Sequence, residues 1–199
     1  MKAVIFDLGN VLVAYDHRRT LEALAEVSAA TVDELWAIAH EIGHTLEVGD
    51  MSGAELHELL VQRAGTTRDF ERFFTAFCSG MTPDPAALDY ALSIQEWPEA
   101  TAAVISNTNE LHVRWLDEHV AALKQFDLVM MSNEVHLAKP DPAIFLLALE
   151  LLDLPPAQTL FIDDMAENVD AAKELGMAGL VHEGWDRTRP ALEAWLVGE

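Results

Sequence analysis

Four short stretches gather the residues of this chain that could do chemistry. Phe6-Asp7-Leu8-Gly9-Asn10-Val11 follows the apolar run Ala3-Val4-Ile5; later come Ser106-Asn107-Thr108-Asn109, then Ala138-Lys139-Pro140-Asp141-Pro142, then Asp163-Asp164. Carboxylates supply the oxygen ligands that a hard cation such as Mg²⁺ prefers. A lysine among them supplies positive charge, and hydroxyl and amide groups supply neutral donors. Taken alone, Asp7 reads equally well as a cap on the turn that follows it. The order and placement of the four stretches argue for a shared site.

The elements that must position them follow from pattern. Val4, Ile5 and Phe6 are β-branched or aromatic without a polar neighbour, as in a strand buried on both faces of a parallel sheet. Gly9 and Asn10 stop that run too early for a helix, and Gly9 is read as the residue that lets the backbone turn sharply. From about residue 84 strands and helices alternate. Strands are expected at Ala102–Ile105, Phe126–Met131, Leu160–Ile162 and Gly179–His182, and helices at Glu110–His119, Pro142–Leu152 and Glu167–Leu175, with a last one opening at Pro190. Such alternation implies an α/β, doubly wound, parallel five-stranded sheet. Parallel strands point one way, so Asp7, Ser106, Lys139 and Asp163-Asp164 converge on the carboxyl edge, where open α/β sheets bind ligands.

Residues 15–83 read differently, as a small helical bundle with no convincing strand. Thr31 with Glu34, and Ser52 with Glu55, are capping boxes opening two of its helices. The expected division is therefore a core of residues 1–14 and 84–199, with a helical insert at 15–83 after the first strand.

Composition narrows the function classes. The 199 residues are 51% hydrophobic, with 34 acidic against 12 Lys plus Arg and a formal net charge of −22. Such a surface repels nucleic acid and anionic lipid, and no apolar run reaches membrane-spanning length. One cysteine, Cys78, cannot form an internal disulfide, and its Phe-rich neighbourhood suggests a buried hydrophobe. With no basic leader ahead of the first strand, a cytoplasmic protein, monomer or homodimer, is expected.

Taken in order, the four stretches resemble the motifs of the haloacid dehalogenase superfamily of phosphohydrolases, and the helical insert is similar to that family's C1 cap. Asp7-Leu8-Gly9-Asn10-Val11, Ser106-Asn107-Thr108-Asn109 and Asp163-Asp164 are closest to the subgroup of bacterial α-glucose-1-phosphatases and, more distantly, the phosphatase domain of soluble epoxide hydrolases. The resemblance implies a Mg²⁺-dependent phosphomonoesterase acting on a small phosphorylated metabolite such as a sugar phosphate. Asp7 would be the nucleophile, forming an aspartyl-phosphate. Asp7, the Gly9 carbonyl and Asp164 would hold the metal, with Asp163 a ligand or its support. Lys139, Ser106, Asn107 and backbone N–H groups would bind the phosphoryl oxygens. Asp7, Asp163 and Asp164 balance Mg²⁺ and Lys139 in formal charge, and opposite charges ~4 Å apart attract by about 4 kcal/mol at an effective dielectric of about 20.

One departure matters. Most phosphatases of the superfamily carry a second Asp two residues after the nucleophile, as general acid and base; here that residue is Gly9. Asp16 is a possible substitute, though it also reads as an ordinary helix cap. Leaving groups that need little protonation, anomeric sugar phosphates or aryl phosphates, should then be favoured. True dehalogenases also lack the second Asp, but they need no metal. A phospho-accepting receiver has its acidic pair after the first strand rather than the fourth. A separate motif, His40-Glu41-Ile42-Gly43-His44, matches the zinc-peptidase pattern H-E-x-x-H, with Asp50 nearby and Gly43 weakening the helix. Trp36, His40, His44 and Glu47 are candidates to line a substrate pocket, although Trp36 reads more readily as cap core.

Overall fold

The computed structural model describes residues 1–198. In chain order the elements are β1 (Lys2–Phe6), β2 (Val13–Tyr15), α1 (His17–Glu26), α2 (Val32–Glu47), α3 (Gly53–Ala64), α4 (Phe70–Phe77), β3 (Met81–Pro83), α5 (Pro85–Ser93), β4 (Ala100–Ser106), α6 (Glu110–His119), β5 (Leu128–Met131), α7 (Ser132–Val135), α8 (Pro142–Leu152), β6 (Thr159–Asp163), α9 (Ala166–Glu174), β7 (Ala178–Val181) and α10 (Trp185–Val197). Five strands form one parallel sheet in the order β5-β4-β1-β6-β7. The α/β doubly wound sheet expected from the alternation is present. β1 is central, and the chain builds β4 and β5 on one side before crossing to β6 and β7 on the other. That reversal puts the topological switch point at the carboxyl end of β1, beside Asp7.

Alternate residues of β1 explain its apolar run Ala3–Phe6. Val4 and Phe6 join the core that includes Leu88 and Ala91 of α5, Leu116 of α6 and Leu192 of α10. Ile5 joins the opposite core, with Ile144 and Phe145 of α8 and Val169 and Ala172 of α9. Ala3 to Phe6 are fully buried, as a strand covered on both faces requires.

Helices α1–α4 make a third core from Leu35, Ile38, Leu56, Leu60 and Phe73, into which Leu111 of α6 inserts. Both expected capping boxes form, Thr31 with Glu34 at α2 and Ser52 with Glu55 at α3. Contrary to the expectation of no strand in this region, an antiparallel ribbon of β2 and β3 carries the chain into and out of the bundle, pairing Val13 with Pro83 and Tyr15 with Met81. Three-residue strands, one ending in Pro, leave no periodic signal in sequence. Pro190 also departs from expectation, lying inside α10 rather than opening it.

The sharp turn after β1 is made by a different residue from the one expected. Asn10, not Gly9, has the left-handed conformation, with φ 54°. Its short amide suits that region, because Asn10 Oδ1 accepts the Tyr15 backbone N–H at 3.0 Å.

Candidate active site

Asp7 stands one residue beyond β1, and its backbone N–H donates to Ile162 O at 2.7 Å, extending the ladder with β6. Its side chain is therefore held next to the end of β6, where Asp163 and Asp164 leave the sheet. Lys139 comes from the loop between α7 and α8. Its ammonium donates to Asp7 Oδ1 at 2.6 Å, Asp163 Oδ2 at 2.7 Å and the Ile105 carbonyl at 3.1 Å. These three donations use all its protons. The Lys139 loop is locked to β4 by Asn107, whose Oδ1 accepts Lys139 N–H at 2.8 Å and whose Nδ2 donates to Lys139 O at 2.8 Å. The Asn107 amide thus positions Lys139 through its oxygen and one of its two N–H groups. Ser132 Oγ fixes the next turn, accepting from Thr108 N–H at 2.9 Å. Ser106, at the end of β4, is buried, and its hydroxyl makes one long bond, 3.4 Å, to Asn107 O.

The two acidic residues after β6 have different partners. Asp163 is fully buried and accepts four hydrogen bonds, from Lys139, from Met165 N–H and twice from Asn168 Nδ2. Four bonds fill the acceptor capacity of a carboxylate. Asp164 is less buried and receives Asn10 Nδ2 at 3.0 Å. One carboxylate oxygen from each of Asp7, Asp163 and Asp164 lies within 4.8 Å of the others. This all-oxygen set suits a hard divalent cation. Asp7 and Asp164 keep unfilled acceptor capacity to hold one, while Asp163 is committed to orienting Lys139.

Burial raises the Asp7 carboxyl to about 6, Lys139 working against the shift and Asp163 adding to it. Burial alone would lower Lys139, but the two carboxylates beside it outweigh that and raise its pKa, so the ammonium stays charged.

Between this edge and the helical bundle lies a cavity of about 200 Å³, lined by Tyr15, His17, Trp36, Glu47, Phe77 and His112 among others. Thr108 and His112 also line a smaller neighbouring pocket, whose walls include Gly9 and Ser106. Trp36 and Glu47 are therefore where a pocket-lining role needs them, and Trp36 is 53% exposed rather than part of the bundle core. His40 and His44 lie on the exposed side of α2 and do not line the cavity. Glu41 is held by Arg63 in a two-pronged pair at 2.7 and 2.9 Å. Among the described residues the acidic group at Asp7 is the one cluster arranged to take a metal, so the zinc-peptidase alternative has no site. Asp16 caps α1, its Oδ1 accepting Arg19 N–H at 3.0 Å. Cys78 is buried and its thiol is pushed up to about 12 by that burial, an inert position.

Sequence reasoning missed Asn10 as the partner of Asp164, and Tyr15, His17 and His112 as cavity walls. Asn10 was visible beside Asp7 as a residue that tolerates left-handed turns. His112 gives no sequence signal, since only the docking of α6 against the bundle turns it inward.

A parallel switch-point sheet carrying a Lys-bridged acidic trio and a helical cap is the arrangement of a phosphoryl-transfer or related hydrolase. The sequence profile of the haloacid dehalogenase-like hydrolases matches residues 1–176, and the chain belongs to that family. It is 27% identical over 185 residues to a D-ribitol-5-phosphate phosphatase of Bacteroides thetaiotaomicron, covering 88% of this chain and 89% of that one. A shorter segment, 68 residues, is 35% identical to the bifunctional epoxide hydrolase 2 of Sus scrofa, over 34% of this chain and 12% of that protein. A Bacteroides thetaiotaomicron enzyme of the family, solved with magnesium and inorganic phosphate, superposes with a TM-score of 0.83 at 25% identity, covering 96% of this chain and 98% of that one.

Proposed function

We propose that this protein is a Mg²⁺-dependent phosphomonoesterase that works through an aspartyl-phosphate on Asp7. The observation that carries the reading is the Asp7–Lys139–Asp163 bridge. It holds one oxygen of Asp7 fixed and leaves Oδ2 beside Gly9. A carboxylate held by a charged lysine is oriented for in-line attack and cannot swing away. Lys139 stays protonated, so its charge offsets the phosphoryl oxygens as they approach, and Ser106 with the backbone N–H groups of the β4 loop supplies further donors.

Asp7, the Gly9 carbonyl and Asp164 are the groups that would hold Mg²⁺, supported by Asn10 on Asp164 and by Asp163 through Lys139. When bound, the ion neutralises charge on the phosphoryl group. Attack by Asp7 on phosphorus expels the alkoxide or phenoxide of the ester, and water then attacks the acyl phosphate to release inorganic phosphate and restore Asp7. The helical bundle over the site excludes bulk water during transfer.

The substrate is a small phosphorylated metabolite. The ribitol-phosphate relative puts sugar and sugar-alcohol phosphates first on the panel. The acidic trio favours phosphoryl transfer over the metal-free dehalogenase chemistry also found on this fold. The net charge of −22 fits an enzyme without nucleic-acid partners. No helix among the described residues is long and apolar enough to cross a membrane, and a cytoplasmic site of action fits the single reduced cysteine. The test is phosphate release from a panel of metabolite phosphates with and without Mg²⁺. Metal-dependent turnover that Asp7→Asn abolishes is expected. Turnover unaffected by chelation, or surviving in Asp7→Asn, overturns the reading.

A further inference from the structure

The cavity between the helical bundle and the sheet edge has walls of a kind that a polyol phosphate does not need. Leu21 and Leu24 of α1, Leu46 of α2 and Phe77 at the end of α4 face it, with the rings of Tyr15 and Trp36. Trp36 is 53% exposed at this position, an indole left in water where it touches the cavity. Hydroxyl groups placed against these walls would lose water without gaining a partner. Glu47 lines the same space and feels Lys139 across it. A carboxylate there, on a strongly acidic chain, disfavours a second anionic group on the ligand.

Polar residues interrupt this apolar surface at His17, Thr20, Glu47, Thr108, Asn109 and His112, and the last two are in contact with each other. Asn109 Oδ1 accepts the backbone N–H groups of Leu111 and His112, each at 3.1 Å, which fixes its amide orientation. Its Nδ2 therefore donates to His112 Nδ1, 3.1 Å away, and a neutral imidazole must carry its proton on Nε2. Burial keeps the ring neutral at physiological pH. Nε2 is shielded from solvent and has no hydrogen-bond partner, the Phe77 carbonyl approaching without bonding geometry. A buried N–H without an acceptor in the protein is a donor available to a ligand.

We propose that this cavity is a leaving-group subsite for an aromatic or compact branched apolar group, with His112 Nε2 placed to receive one acceptor on it. The inference rests on the phosphomonoesterase reading for the position of the phosphoryl group. Its volume, about 200 Å³, suits one ring rather than a long chain. Trp36 closes over the outer face of that ring.

Calorimetric titration in Mg²⁺ with benzylphosphonate and with methylphosphonate tests the subsite without turnover. Benzylphosphonate should bind about 10-fold more tightly or better, the scale of removing a phenyl ring from water. Trp36→Ala should remove at least about a third of that preference on a logarithmic scale. Equal affinity for the two phosphonates overturns the subsite. In parallel, kcat/KM is compared for benzyl phosphate and D-ribitol 5-phosphate, whose alkoxide leaving groups are similarly basic. Higher kcat/KM for the benzyl ester, through a lower KM, supports the subsite. A preference for the ribitol ester overturns the subsite and leaves the phosphatase reading standing. Selective benzylphosphonate binding without hydrolysis of either ester or of p-nitrophenyl phosphate supports the subsite and overturns the phosphatase reading.

Discussion

Lys139 Nζ donates to Asp7 Oδ1 at 2.6 Å, joining residues 132 positions apart in the chain inside a nearly dry site. The same ammonium bridges to Asp163, so its removal leaves two buried carboxylates facing each other. Lys139→Met should therefore cost about 3–5 kcal/mol in urea unfolding, the range for breaking a buried pair from one side. Phosphatase kcat should fall at least about 10²–10³-fold. Adding Asp163→Asn to that variant removes one of the stranded charges and should recover part of the stability but none of the activity. Recovery of both together would mean that Lys139 serves folding alone.

Gly9 leaves the site without the usual acid, and the structure has room for one. A Cβ built at Gly9 meets Asp7 Oδ2 at 3.7 Å, an ordinary contact, and the left-handed turn belongs to Asn10 instead. The natural enzyme should hydrolyse p-nitrophenyl phosphate much faster than simple alkyl phosphates, because a phenolate leaves without a proton. Gly9→Asp should fold normally and raise the alkyl-to-aryl ratio of kcat, by up to about 10²-fold. An alkyl-to-aryl ratio near unity in the unmodified enzyme would show that another residue already donates the proton.

These two cases mark what could be read from sequence. Asp7 and Asp163-Asp164 were visible because each ends or follows an apolar strand, with Lys139 in the segment after the third expected strand, and parallel strands bring such ends together. The capping boxes at Thr31 and Ser52 were visible because they are local chemistry. The turn was assigned to Gly9 although Asn10 makes it, since sequence favours glycine wherever a chain bends sharply. The positioning role of Asn107 is not legible, because nothing local shows that its amide meets the Lys139 backbone 32 residues away. His112 and Tyr15 were missed for the same reason. Their roles arise where the bundle and the sheet meet, and no period within one element encodes that meeting.

His112 should give stability a pH dependence of definite sign. Burial lowers its pKa from 6.5 to about 4 in the folded protein. Between those values the unfolded chain takes up a proton that the folded chain refuses, so stability present above about pH 6.5 declines as pH falls toward 4. The contribution is at most about 3 kcal/mol. Asp7 works in the opposite direction, because its raised carboxyl lets the folded state bind the extra proton below about 6. The difference between the natural protein and His112→Gln isolates the histidine. The Gln variant should lose less stability than the natural protein between pH 7 and 4.5 in urea titrations. Parallel curves for the two proteins would place His112 in contact with solvent.

The seam between bundle and sheet closes on Gly49. This residue has φ +74°, and a Cβ on it would stand 2.1 Å from the Asn133 carbonyl oxygen. Neither the conformation nor the space admits a side chain. Beside it His136 Nδ1–H donates to Val48 O at 2.8 Å, and at the start of α3 the Gly53 N–H donates to Glu110 Oε2 at 2.6 Å. The α2–α3 loop is thus held to the core from both ends, against α7 and the first residue of α6. Gly49→Ala must push this loop away from α7 at a cost of about 1–3 kcal/mol. The cap core of Leu35, Leu56 and Phe73 does not involve Gly49 and should stay folded. Faster amide exchange confined to residues 46–53, with a raised KM and a smaller change in kcat, is expected. Unchanged exchange in that loop, or a loss of protection spread through α1–α4, would show that the seam does not govern closure over Asp7.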